Sequence, residues 1–306
     1  MTSTRSRWSD LGGRTHWLDV GGPVDAPPVV AVHGLGGSHT NWLAVGPDLA
    51  TDHQVYALDL AGHGHTPLER RGSDVASNER LLHRFIVEVV GEPVTLLGNS
   101  MGAMISLRQA ARHPDTVRQL VLIGPALPVA GRWVPEPLVA AGVAVTGIPR
   151  LGASILARRR SRLTPEEQIA EMLELCCVHP QRVPDDVVAE MVEMARARAD
   201  YVGVEVAMER AARSTLRSLV RRRSYDAMLD HVRAPVLVLH GEQDRLVSVE
   251  SSRRVVARHP SWTLVTRPDL GHVPQLEDPE WTVAQIRRWL AGVGSARSTT
   301  GRPAEG

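Results

Sequence analysis

The sequence predicts an α/β fold: a doubly wound, mostly parallel sheet with a helical cap inserted after the sixth strand. Three observations carry this. Short apolar runs rich in Val and Leu alternate with amphipathic helical patterns, the order that builds a parallel sheet covered by helices. The runs are nearly continuous in apolar residues, as strands buried on both faces require. The alternation then stops between about Leu127 and Leu216, where no strand pattern occurs and Pro135, Pro137, Pro149, Pro165, Pro180 and Pro184 punctuate helical stretches. The expected organisation is a first half of the core over 1–127, a cap over 128–216, a second half over 217–292 and a disordered tail over 293–306.

Taken in order, the polar start Met1 to Arg7 leads straight into His16 to Val20, read as part of an antiparallel ribbon. Val29 to His33, Val55 to Asp59, Val94 to Gly98, Val117 to Ile123 and Val236 to His240 are the buried strands, each bounded by Gly, Pro or a polar residue. Trp262 to Arg267 reads as an edge strand. Leu81, Leu82, Phe85, Ile86 and Val89 recur at helical spacing, as do Val283, Ile286, Trp289 and Leu290. Within the cap, Thr164-Pro165-Glu166-Glu167 carries a helix start: Thr as cap, Pro at the first position, Glu at the third. Small polar residues from Ser295 to Gly306 lack any apolar face, and disorder is expected there.

Composition narrows the function classes. A net charge of +1 provides no global field for nucleic acid. Every basic side chain other than histidine is Arg, which removes Schiff-base and Ser-Lys chemistry. The two cysteines, Cys176 and Cys177, are adjacent, so neither a disulfide nor a zinc site is expected. Leu138 to Leu156 is apolar but broken by Gly142, Gly147, Pro149, Arg150 and Gly152, too interrupted to span a membrane. The cations Arg158, Arg159, Arg160 and Arg162 that follow complement the end of a cap helix better than they mark a membrane surface. With no apolar leader at the start, the expected location is the cytoplasm.

Four short segments concentrate the chemistry. Gly98-Asn99-Ser100-Met101-Gly102 follows a strand and opens a helix, Met101 to Arg112, so Ser100 sits on a tight turn whose flanking glycines remove clashes. His33-Gly34-Leu35-Gly36-Gly37 follows another strand, and its glycines let backbone approach a ligand closely. His33 itself, with Gly34 and Asn99, is read as support rather than as a reacting group. His240-Gly241-Glu242-Gln243-Asp244 places Asp244 after a strand, able to fix a histidine ring, with Glu242 directed elsewhere. Gly271-His272-Val273-Pro274 lies on a loop after the edge strand. Of the 13 histidines, His272 is singled out by chain order: Ser, then acid, then His.

These segments, with Asp59-Leu60-Ala61-Gly62-His63-Gly64-His65-Thr66, resemble the capped α/β-hydrolase superfamily, over about residues 15–125 and 225–291. The resemblance implies Ser100 as nucleophile, His272 as base, Asp244 as its acid, and the Leu35 and Met101 amides as an oxyanion hole. Dehalogenases and epoxide hydrolases of this fold use Asp as nucleophile, and Ser100 argues against both. Gly-Asn-Ser-Met-Gly resembles the C–C hydrolases of ring-cleavage products, but those carry Trp after the catalytic His, where this chain has Val273. Val273-Pro274-Gln275-Leu276-Glu277 resembles general esterases instead. The expected reaction is therefore cleavage of a small to medium carboxylic ester with water as co-substrate and no cofactor or metal. Leu138, Val139, Val143, Val145, Ile148, Leu151 and Ile155 are the expected aliphatic lining. A C–C hydrolase, an interfacial lipase and a ligand receptor on the same fold are the alternatives.

Overall fold

The computed structural model describes residues 4–129, 151–199 and 201–299. Its strands are β1 (Arg5–Asp10), β2 (Arg14–Gly21), β3 (Pro28–Val32), β4 (Gln54–Leu58), β5 (Val94–Asn99), β6 (Val117–Ile123), β7 (Val236–Gly241) and β8 (Thr263–Arg267). They form one sheet in the order β1-β2-β4-β3-β5-β6-β7-β8. β1 and β2 run antiparallel to each other, and β2 runs antiparallel to β4. Every other pairing is parallel.

The continuous apolar runs serve both faces of this sheet. Successive side chains on a strand point to opposite sides. Accordingly Val30, Val32, Leu96, Leu120, Leu122, Val236 and Val238 enter one core. Val29, Ala31, Leu97, Val121, Ile123, Leu237 and Leu239 enter the other. The helices of eight residues or more among the described residues are α1 (Val75–Phe85), α2 (Met101–Arg112), α3 (Leu151–Arg160), α4 (Pro165–Cys176), α5 (Asp185–Ala197), α6 (Val204–Val220), α7 (Arg222–Leu229), α8 (Val249–Arg258) and α9 (Pro279–Thr299). Leu81, Leu82 and Phe85 of α1, Met104 and Ile105 of α2, Leu229 of α7 and Val255 of α8 fill the first core. Trp42, Leu49 and the α9 residues Val283 and Ile286 fill the second.

The chain from β6 to β7 holds helices only among the described residues, so the insertion follows the sixth strand as expected. The α4 start has the predicted reciprocal cap: Thr164 Oγ1 accepts from the Glu167 amide (3.2 Å), and Glu167 Oε2 accepts from the Thr164 amide (2.8 Å). Leu173, Cys176, Val187 and Met191 of α4 and α5 pack on Val273 and Leu276 as a third, smaller core. This core seats the cap directly on the loop that carries His272.

Several expectations differ from the structure. The polar start forms an edge strand, β1, whose exposed Arg and Ser residues gave no alternating apolar signal. Helix α9 continues through Thr299, past the glycines where a disordered tail was expected to begin. Once a helix is nucleated, each added residue brings one hydrogen bond, so propagation outlasts the apolar stripe. Leu138, Val139, Val143, Val145 and Ile148 of the proposed lining fall outside the described residues. Ile155 is 41% exposed and faces solvent. Arg160 turns toward α6 and pairs with Glu205 (2.6 Å), as a cation placed for the cap's own use. Among the described residues, no helix is long and apolar enough to cross a membrane.

Candidate active site

β3 pairs with β4 on one side and with β5 on the other, so the loops leaving β3 and β5 diverge and open a crevice at the strands' carboxyl ends. Ser100 stands at the end of β5 with φ 54° and ψ −115°. Only Ser100 and Glu69 among the described non-glycine residues have positive φ. Such a backbone costs roughly 1–3 kcal/mol and persists only where its surroundings over-determine it. Here the Ser100 amide donates to the Ile123 carbonyl (3.0 Å), and its carbonyl accepts from the Met104 and Ala126 amides (both 3.2 Å). The flanking glycines are required by close approach. A Cβ on Gly98 would lie 2.7 Å from Ala103 Cα, and one on Gly102 would lie 2.1 Å from the Val32 carbonyl oxygen.

Asp244 and His272 meet as the chain order predicts. His272 Nδ1 donates to Asp244 Oδ2 at 2.7 Å, and both residues are buried. Asp244 Oδ1 accepts from the amides of Leu246 (2.8 Å) and Val247 (2.9 Å). Burial works against charge on Asp244. The opposing pull of His272 and the hydrogen bonds from His240 and His272 outweigh it and hold the carboxyl well below its usual range. Gly124, at the exit of β6 with φ 48°, leaves room for this pair: a Cβ there would stand 3.0 Å from His272 Nδ1. Ser100 and His272 share no direct hydrogen bond. Their backbones are tied instead by Asn99, whose Nδ2 donates to the carbonyls of Ile123 (3.0 Å) and His272 (3.3 Å). Asn99 thus links the Ser100 turn to the His272 loop.

The glycine loop after β3 comes up against Ser100. A Cβ on Gly34 would lie 3.1 Å from Ser100 Cβ. Met101 is the first residue of α2, so its amide has no carbonyl a turn before it. Leu35 is partly exposed, and the Met208 methyl lies against neighbouring Gly36, 2.8 Å from where a Cβ would be. His33 is fully buried; its Nε2 accepts from the Leu60 amide (3.1 Å) and its Nδ1 donates to the Gly34 carbonyl (2.7 Å). Burial lowers its pKa to about 4. A neutral ring with both nitrogens engaged shapes the loop and leaves no free lone pair for a base.

Glu277, which the sequence offers only as the last residue of the esterase-like run from Val273, has contacts that local pattern does not encode. Glu277, 1% exposed, accepts three amides: Val178 (2.8 Å) and His179 (2.6 Å) of the cap on Oε1, and Gly271 (2.8 Å) on Oε2. The His272 amide in turn donates to the Cys176 carbonyl (2.6 Å). The end of α4 and the His272 loop are thus one hydrogen-bonded unit. Cys176 and Cys177 are buried and free, and burial pushes the Cys176 thiol up to about 12.

His16, His39 and Asp59 bring three possible metal ligands together. Their protons already account for the geometry. Asp59 accepts from the ring Nδ1 of His16 (2.7 Å) and of His39 (3.0 Å), and from the amides of His39 (2.7 Å) and His65 (2.9 Å). A carboxylate saturated by four N–H donors is a clasp joining β2 to the loops after β3 and β4.

The sequence pattern of the alpha/beta hydrolase fold matches residues 27–279. A 2-hydroxy-6-oxononadienedioate/2-hydroxy-6-oxononatrienedioate hydrolase of Cupriavidus pinatubonensis is 28% identical over 88% of this chain and 87% of its own. A pimeloyl-[acyl-carrier protein] methyl ester esterase of Neisseria meningitidis is 27% identical over 88% of this chain and 95% of its own. The solved structure of Cfl2 from Burkholderia cenocepacia superimposes with a TM-score of 0.78 at 23% identity, covering 94% of this chain and 96% of that one. With the pattern spanning the sheet on both sides of the cap, the chain belongs to the α/β-hydrolase fold family.

Proposed function

We propose that this protein is a serine hydrolase that cleaves a carboxylic ester by two-step acyl transfer. The observation that carries this reading is the Asp244–His272 bond of 2.7 Å on a loop tied by Asn99 to the strained turn of Ser100. In the first step His272 Nε2 takes the Ser100 proton as Oγ attacks the ester carbonyl. Asp244 holds the proton on Nδ1, leaving Nε2 as the acceptor, and stabilises the imidazolium that forms. The Leu35 and Met101 amides receive the developing oxyanion, each worth about 3 kcal/mol in the transition state. His272 then protonates the leaving alcohol, and water activated by the same ring releases the acid. Met208 beside the glycine loop supports an aliphatic group on the substrate.

The esterase relative supports the ester reading, and the oxo-dienedioate hydrolase relative supports a C–C bond as the second reading. Val273 after the catalytic His favours the ester. A fluorophosphonate should label Ser100, and a panel of p-nitrophenyl esters of increasing acyl length should be hydrolysed. Ser100→Ala should abolish both. Full turnover by that variant overturns the assignment. Turnover of a vinylogous keto-acid without ester turnover replaces it with the C–C reading.

A further inference from the structure

Behind the acid of the site stands a second buried histidine. His240 is the penultimate residue of β7 and has no exposed surface, four residues before Asp244. Its Nε2 lies 3.0 Å from Asp244 Oδ2 and 3.1 Å from the Val247 carbonyl oxygen. Its Nδ1 lies 2.7 Å from Ser252 Oγ on α8. The Val247 carbonyl can only accept, so Nε2 carries a ring proton, and Nδ1 meets the Ser252 hydroxyl. The same Asp244 oxygen therefore receives two imidazole N–H groups, one from His272 in front and one from His240 behind.

We propose that His240, oriented by Ser252, is a positioning residue that sets how strongly Asp244 holds and polarises His272. The inference rests on the hydrolase reading above. Two amides on Oδ1 and the His240 N–H on Oδ2 leave the carboxylate one way to face, toward His272 Nδ1. The His240 bond also draws charge from the oxygen that His272 uses, so removing it makes Asp244 a stronger partner for the imidazolium while loosening its aim. The other titratable groups near Asp244 leave this geometry to the two histidines. The Cys176 thiol is kept protonated by burial, Arg245 donates to the Glu174 and Cys177 carbonyls, and Glu277 is occupied by three amides. What singles His240 out among the buried histidines is that one of its partners is the Asp244 oxygen that also holds His272.

The test compares His240→Met, His240→Gln and Ser252→Ala with the unchanged protein on the best ester of the panel, with urea midpoints to monitor folding. His240→Met keeps the volume and removes the donor. It should lower kcat about tenfold with KM within about twofold, and move the acid limb of kcat/KM up by about half a pH unit. His240→Gln places an amide N–H near the Nε2 position and should recover most of the rate and the original limb. Ser252→Ala should lower kcat about threefold, again without a change in KM. Wild-type kcat and an unmoved limb in a folded His240→Met protein overturn the proposal. So does equal loss in the Met and Gln variants, which would mark a packing role. If His240→Met does not fold, unchanged kinetics in Ser252→Ala overturn it instead. Absence of both labelling and turnover in the unchanged protein is a different failure: it removes the hydrolase reading, and this inference with it.

Discussion

Replacing Glu277 with Gln should separate the cap from the His272 loop while leaving shape and volume intact. The carboxylate accepts two cap amides on one oxygen and the Gly271 amide on the other. A Gln oxygen can keep the Val178 and His179 amides, but its NH2 then faces the Gly271 N–H, donor against donor. The loss is one hydrogen bond to a carboxylate plus one buried amide left unpaired, together about 3 kcal/mol. For a chain of this size that corresponds to a fall in Tm of roughly 5 °C. Urea unfolding at neutral pH should show the lower midpoint with an unchanged slope, because the folded surface is the same. Since Gly271 precedes His272, ester turnover should fall about tenfold at unchanged KM, as a base displaced by a fraction of an ångström requires. A Glu277→Gln protein with the parental midpoint and rate refutes the clasp: the three short contacts would then contribute nothing net.

Other perturbations probe the turn and the loop beneath it. Gly102→Ala puts a Cβ 2.1 Å from the Val32 carbonyl oxygen, backbone that cannot step aside. It should destabilise by more than about 3 kcal/mol, read as loss of folded yield or of the urea midpoint. Gly292→Ala, where a Cβ meets nothing within 4 Å, should instead stabilise by up to about 1 kcal/mol. The pH dependence of stability has a definite sign at His33. Its pKa falls from 6.5 unfolded to about 4 folded, so the stabilisation is present above pH 6.5 and is lost as pH falls toward 4. The full difference is about 3 kcal/mol. In His33→Asn, urea midpoints should decline less steeply than in the parent over that interval, and equal slopes would contradict the assignment.

The strands were legible because each of their residues answers to one local requirement. β5 and β7 are buried throughout, so their sequences are nearly continuous apolar runs with glycine or a polar residue where the chain must turn. Ser100 was legible for a related reason: a left-handed Ser between two glycines is a backbone demand written within five residues. β1 and the last turns of α9 carry no apolar pattern in the sequence. Their structure comes from pairing with a neighbour and from helix propagation, which leave no periodicity.

Asp244, His240 and Glu277 mark the boundary between what local pattern encodes and what it does not. All three are buried polar residues, and each must be fully hydrogen-bonded to be tolerated there. Asp244 was found because its partner His272 follows in a fixed order along the chain. Glu277 meets amides 99 and 98 residues earlier in the cap, and His240 meets a serine on the next helix. Those partners exist only after the sheet has brought the loops together. The same fact ties the cap to the His272 loop. The Ser100 backbone is anchored by Ile123, Met104 and Ala126 of the core, but the His272 loop is anchored partly by Cys176 and, through Gly271 and Glu277, by the cap turn at 178–179. A change of cap position therefore acts on His272 before it acts on Ser100. Cap substitutions far from the substrate should appear first as losses in kcat, with labelling of Ser100 by a strong electrophile the last function to fail.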